Sequence, residues 1–475
     1  MRTIDLIAFE WKLQFKRGAA LSVLLAFALV LYYGGVAGKA ERNERASAVA
    51  AHEESVSEAM AEWLEDLRQL ERLGSEAEVP PATGSAMDVV FASSIPQQPL
   101  SDFAVGQSDL LPFAGEISLW DPDIRLFSNY EIADPVALAL GSFDISKAVV
   151  LFLPLLLVVF CFDVIAADRD ARRLGLTVAQ GVSIRRLFWQ RLMFRAAVVF
   201  TVLFITAVLV LLADGGQTSL VERLPAFGLW LLFACLYGGF WLMLIAFVAS
   251  YNNSGEFNVL ALLGLWAGLT LVIPAASSAL AEVIYPSPSR LTYLAEAREI
   301  ENETRLEESE VANQFMLDHP ELLVDQESEI PAFVLSSFLV TSTVDEATRP
   351  IVASFEAALQ NRENVLALFR YLSPAVAVHS LFNEIAGTSA QRHQRYLTQA
   401  RQFKAAYAEM VGPNIVAKQR IGSEFFETIP DFEFAEESLS GRVVQSIGPL
   451  MLLVLLSMGM AGVVNRRLSK TSPIA

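Results

Sequence analysis

The stretch DVIAADRDARRLGLTVAQGVSIRRLFWQRLMFR, residues 163–195, places seven arginines between two long apolar runs. Arginine at such density beside a membrane segment stays in the cytoplasm during insertion, so this stretch sets how the chain threads. Working outward from it, six runs of roughly 20 predominantly apolar residues are long enough to cross a bilayer core as helices. They cover 18–38, 146–167, 195–213, 225–250, 257–283 and 444–464. Arg2, Lys12, Lys16 and Arg17 precede or open the first run, and Arg466, Arg467 and Lys470 follow the last. Six spans bring all three basic stretches to one side, which the positive-inside rule makes the cytoplasm. Both termini then lie inside, residues 465–475 form a cytoplasmic tail, and the polar segments 39–145 and 284–443 lie outside. The expected fold is an all-α polytopic membrane protein: six transmembrane helices with two large, mainly helical extracytoplasmic domains.

Composition agrees with that class. Hydrophobic residues make up 53% of the 475 and charged ones only 19%, with a formal net charge of −18 carried mostly by the two polar segments. Acidic outer faces argue against nucleic acid or anionic lipid headgroups as partners of those faces, with membrane lipids expected around the spans. The two cysteines, Cys161 and Cys235, both fall in spans, so neither polar segment can form a disulfide of its own. Four scattered histidines have no metal-ligand spacing.

Residues 1–17 pattern as an amphipathic helix with Ile4, Ile7, Ala8, Trp11 and Phe15 on one face, suited to the inner membrane surface. That pattern favours a retained first span over a cleaved signal peptide. The first polar segment opens with a helix over about 41–73, whose stripe of Val49, Val56, Trp63 and Leu70 has seven-residue spacing. Such a stripe packs on its own domain or seams a second protomer. Pro80 to Pro99 reads as irregular. The second segment reads as helical near 290–318, 351–371 and 389–411, with breaks at Pro320, Pro331 and Pro350. Neither segment shows the alternating strands of a sandwich.

No nucleophile elbow or zinc-binding helix occurs, and carboxylates on the polar segments read as solvated acid rather than a catalytic pair. Gly34 to Lys39 has the wrong glycine spacing for a phosphate-binding loop, and Ala40 stands where Ser or Thr would hold magnesium. The chain is therefore expected to be no enzyme and to hold no cofactor. The spans carry no central charge, unlike ion-coupled carriers, so energy for any active movement comes from elsewhere.

The inner loop, 168–194, is the candidate place for that input. Asp168 and Asp170 suit the positive end of a short helix reaching Gln180, Leu174 and Val178 share a face, Gly181 can end it, and Ser183 can cap a basic helix that begins with Arg185. The plainer alternative is an amphipathic connector holding positive-inside charge.

Asp168, Arg169, Asp170 and Ala171, then Leu174, Leu176, Ala179, Gln180, Gly181, Val182, Ser183 and Arg185, resemble the coupling helix in membrane subunits of ABC transporters of the type-2 exporter class. The chain departs from the family pattern at Arg172 and Arg173, where Gly-Thr is usual. These two cations suit either contacts to a dedicated ATPase or positive-inside topology. A second set is similar to a bacterial branch with a large outer domain before the last span. It comprises Leu372, Ser373 and Pro374 with Ala375, Ala377 and Leu381, then Ala386, Gly387 and Thr388, and Arg392, Arg395 and Tyr396. Tyr285 to Arg290 and Pro430, Asp431 and Phe432 resemble the same branch.

The resemblance implies an inner-membrane permease whose coupling residues are Asp168, Arg169, Asp170, Arg172, Arg173, Leu174, Val178, Ser183 and Arg185. It further implies separate ABC ATPase subunits that bind ATP and Mg, and a second permease, copy or paralogue. The cargo would be a lipid, peptide or other envelope-directed molecule. The competing expectation is a membrane-anchored extracytoplasmic binding or sensory protein without transport.

Overall fold

Nothing ends the first helix where its apolar run ends. Between Gly38 and Gly74 the chain has neither Gly nor Pro and is rich in Ala, Glu and Arg, all strong helix formers. The computed structural model describes Glu10 and residues 18–106, 112–123, 143–170, 183–213, 219–251, 253–286, 295–296, 298–307, 329–444 and 446–470. In it α1, Ala19–Leu73, is one helix of 55 residues, about 80 Å long at 1.5 Å per residue. The expected first span and the expected helix over 41–73 are thus a single element. Gly34, Gly35 and Gly38 do not break it because they serve close approach: a Cβ at Gly38 would lie 2.0 Å from the Asp102 carbonyl oxygen.

The other membrane-length helices are α2 (Ile145–Cys161, prolonged past a turn by Ala166–Asp170), α3 (Ile184–Leu212), α4 (Leu220–Ala249), α5 (Gly255–Ile284) and, last in the chain, Ile447–Lys470. Together with α1 these are six helices long and apolar enough to cross a membrane. The expected basic helix before the third span and the span itself are one helix, capped by position at Ser183.

Two of these helices contain breaks that a bilayer does not tolerate unless another group fills them. Pro154 inside α2 has no N–H for the carbonyl of Val150, and the Tyr237 hydroxyl of α4 donates to that oxygen at 2.8 Å. In α5, residues Gly268–Val272 widen into a π-helical turn, and the Ile273 N–H reaches back five residues to Gly268 O. In that register the carbonyl of Leu269 would look to Pro274, which has no N–H. The hydroxyl of Ser373, from the second polar segment, donates to it at 2.6 Å.

Between α5 and the last span lie α6 (Ala332–Phe369), α7 (Pro374–Ala386) and α8 (Ala390–Val416), so the last span is α9. Pro331 precedes α6 as expected, but Pro350 sits inside it. Pro350 and Glu346 are both exposed, so water can satisfy the carbonyl that the proline leaves without a donor. Pro320 and most of 290–318 lie outside the described residues.

Pro80 to Pro99 is more ordered than its composition suggests. It contains β1 (Val90–Ser94), which pairs antiparallel with β2 (Ala114–Ser118), Val90 opposite Ser118. Described residues of both polar segments share one core, a head in which Met87, Phe91 and Ile117 pack with Val334, Tyr407 and Val411. The stripe on α1 packs there through Trp63, whose ring lies 5.3 Å from that of Phe426, and Val56 of the stripe is buried, as is Leu67 beside it. A second core fills the bundle around Trp230, Tyr237 and Trp241. Helix α7 belongs to this one, through Val378, Leu381 and Phe382.

Candidate functional site

At the end of the bundle away from the head, α2 stops at Cys161, and carbonyls there need donors from outside the helix. Two arginines one turn apart on α3 supply one to α2 and one to the turn that follows it. Arg195 Nη1 donates to Phe160 O at 3.0 Å and Arg191 Nη1 to Val164 O at 3.3 Å. The same guanidiniums face three carboxylates. Arg195 pairs with Asp163 at 2.6 Å and with Glu10 at 3.3 Å, while Arg191 pairs with Glu10 at 2.7 Å and with Asp168. Glu10 and both arginines are buried. Charges withdrawn from water at such cost persist when each is paired and hydrogen-bonded, as here.

The expected coupling residues fall around this cluster. Asp168 is buried against Arg191, inside the bundle end rather than on its surface. The Arg169 guanidinium donates to the carbonyl of Asn253, in the turn between α4 and α5. Asp170 ends the short helix, and its side chain lies outside the described residues, as do Arg172, Arg173, Leu174 and Val178. Ser183 occupies the N-cap position of α3 with no side-chain cap; its carbonyl accepts from the Leu187 N–H at 3.0 Å. Arg185 is exposed. The last span joins the same end, through Asn465 accepting from Trp189 at 3.0 Å and Arg467 lying 3.5 Å over the Tyr251 ring.

Reading the sequence assigned Arg191 and Arg195 only to topology. Their spacing of four residues on the apolar face of α3 was the available signal, since two cations on an inward face need carboxylates opposite them.

The opposite end of the bundle has a second buried ion group that the sequence reading did not find. Arg223, in the first turns of α4 and 1% exposed, donates to both Asp102 oxygens at 2.7 and 2.6 Å, to Pro99 O at 2.8 Å and to Leu211 O at 3.1 Å. Arg42 of α1 approaches Asp102 at 3.8 Å. Beside it Phe103 inserts against Trp230, ring centroids 5.1 Å apart, and its carbonyl accepts from the Ser146 hydroxyl at 2.7 Å. The segment Leu100 to Val105 therefore closes this end of the bundle.

The residues behind the second resemblance hold head to bundle. Ser373 caps α7 while serving Leu269. Gly387 ends α7 at φ 70°, a conformation that favours glycine, and a Cβ there would meet Gln98 at 2.3 Å. Arg392 donates to Pro96 O at 2.6 Å and Gly387 O at 2.8 Å and pairs with Glu436. Tyr396 reaches the Ser93 hydroxyl of β1 at 2.9 Å.

Within the head, Lys404 joins α6 and α8 to the chain after β2, through Asp345 at 3.0 Å, Asp123 at 2.9 Å and Asp121 O at 2.7 Å. Burial raises the Asp345 carboxyl above its ordinary 3.8 despite the attraction of Lys404 and with the help of Asp123. The folded state thus holds that proton more tightly than the unfolded chain does. The contribution of Asp345 to stability then rises as pH falls through its raised folded value toward 3.8. Asp345→Asn, which cannot ionise, should flatten the dependence of the melting midpoint on pH over that window. Parallel curves for variant and parent would show that this carboxyl does not titrate with folding.

Residues 290–435 match a family described as a domain of unknown function, DUF3526. No curated protein and no solved structure matches the chain. The matched stretch takes in α6, α7 and α8, hence the helical part of the head and the Ser373 and Gly387 joints. None of the six membrane-length helices falls inside it.

Proposed function

We propose that this chain is the membrane-spanning permease subunit of an ATP-driven transporter of the ABC type-2 exporter class, moved by a separate ATPase that docks on the 168–194 loop. The positive-inside rule puts that loop and both termini in the cytoplasm and the head on the outer face of a bacterial inner membrane. The observation that carries the reading is how the loop's flanks are anchored. Asp168 is tied to Arg191 of α3, Arg169 to the turn between α4 and α5, and the loop's far side is α3 itself. Force applied to the loop is delivered to α2, α3, α4 and α5 together, as rocking of spans by a docked ATPase requires. In this reading a second permease, copy or paralogue, completes the path, and the cargo is a lipid, peptide or other envelope-directed molecule.

The test uses Arg185 and Arg186, which are exposed and therefore replaceable without unfolding the bundle. The full chain purified from its native membrane should bring an ABC ATPase with it. Arg185→Glu with Arg186→Glu should weaken that association at least about tenfold, the scale of one lost charge-assisted contact, while the melting midpoint stays in place. Folded protein recovered without any ATPase would sink the reading and favour a membrane-anchored binding protein.

A further inference from the structure

We propose that the cleft at the foot of the head is a binding site for a phosphate-bearing anionic headgroup. The cleft lies between α1, the segment before Ser101 and the turn at Gly387. Among the described residues its charged lining is three arginines, Arg42, Arg45 and Arg392, and one carboxylate, Glu41, which stands 3.8 Å from Arg45. In a chain of net charge −18 that excess of cation is a local inversion. The carboxylates that hold two of these guanidiniums, Asp102 for Arg42 and Glu436 for Arg392, are not among the residues lining the cleft. They fix the arginines in place from outside it. Planar guanidiniums fixed in advance are the side chains best matched to phosphate oxygens.

Three further observations narrow the ligand. The Ser101 hydroxyl on the cleft wall is enclosed and has no hydrogen-bond partner among the described residues. A buried hydroxyl in that condition carries a desolvation cost that a ligand oxygen would remove. Val49, Ile95 and Phe113 form an apolar side, with Arg45 over the Phe113 ring at 4.8 Å, so the ligand has an uncharged portion next to its anion. Finally, the apolar run of the first span ends at Gly38, and Arg42 and Arg45 stand about 6 and 10 Å beyond it along the helix. Arg42 stands at the depth of the headgroup layer, which extends roughly 5 to 8 Å beyond the hydrocarbon on each side, and Arg45 stands just past it, within reach of its long side chain. The proposal stands apart from the ATPase reading, since it needs only the head, the outer end of α1 and a membrane.

The test is binding to the full-length, detergent-solubilised chain, read by native mass spectrometry and by melting midpoint. The probes are phosphatidylglycerol, zwitterionic phosphatidylcholine and inorganic phosphate. Arg45→Gln removes the least buried of the three guanidiniums, and Ser101→Ala is a second variant that deletes only a hydroxyl. Phosphatidylglycerol is expected to bind in preference to phosphatidylcholine, with affinity falling at least about tenfold in Arg45→Gln and several-fold in Ser101→Ala. Competition by inorganic phosphate would identify a water-borne phosphate compound as the source, and its absence a membrane lipid; both support the site. Equal binding of the two lipids, or phosphatidylglycerol binding that neither variant weakens, overturns it. If Arg45→Gln does not fold, Ser101→Ala decides alone.

Discussion

Replacing Arg223 with alanine is expected to destabilise the protein by about 3–5 kcal/mol, the cost of leaving one member of a buried ion pair without the other. The guanidinium is almost wholly enclosed and satisfies four acceptors at once, two of them the Asp102 carboxylate. Without it Asp102 loses its two short contacts and is left with the more distant Arg42 near it, and the end of α3 loses the donor to Leu211 O. The effect reads as a large drop in melting midpoint and in the yield of monodisperse protein. Combining Arg223→Met with Asp102→Asn, which removes the orphaned charge, should recover part of the loss. An unchanged midpoint for Arg223→Ala would mean that this end of the bundle is held by packing alone.

Ser373→Ala is the second large effect, because one hydroxyl serves two helices. It accepts from the Val376 N–H as the cap of α7 and donates to Leu269 O in the widened turn of α5. Losing a cap costs about 1 kcal/mol. Leaving a buried carbonyl without a donor costs about 1–3 kcal/mol more. Ser373→Thr keeps the hydroxyl and should restore most of the stability, which separates the hydrogen bonds from side-chain volume. Hydrogen exchange over 268–274 should rise in the alanine variant and stay near the parent level in the threonine variant. Unaltered exchange there would show that another group serves Leu269.

The spans were legible because a bilayer leaves the chain few choices: each apolar run became helical over most of its length, although α1 runs far past its expected end and α3 starts well before its expected beginning. The unbroken α1 was legible too, in the absence of Gly and Pro after Gly38, although the change from apolar to charged composition suggested two elements. Composition changes solvent, not helix propensity, so the helix ran on. The hairpin was hidden because Val90–Ser94 and Ala114–Ser118 are short and half-buried, and one strand lies in a Pro- and Ser-rich stretch. Pairing across the chain was the least legible. Asp168 looked like a surface docking residue because its acceptor role depends on Arg191, 23 positions away. Asp102 carried no local signal at all, and Ser373 acquires its meaning only beside Pro274, whose missing N–H shows nothing until the register of α5 is known.

The continuity of α1 has a mechanical consequence. The helix is part of the bundle core at Leu24, Phe27 and Leu31 and is buried again in the head at Val56 and Leu67, with no joint between. A rod without a joint is a gear: a tilt of about 10° about the seat of Gly38 on Asp102 would carry Leu73, about 50 Å further along, sideways by about 9 Å. The same tilt moves the other end, Ala19, about 28 Å below the pivot, by about 5 Å, so a displacement among the spans reaches the far tip of the head nearly doubled, and load on that tip is returned to the membrane as a smaller movement with a larger force.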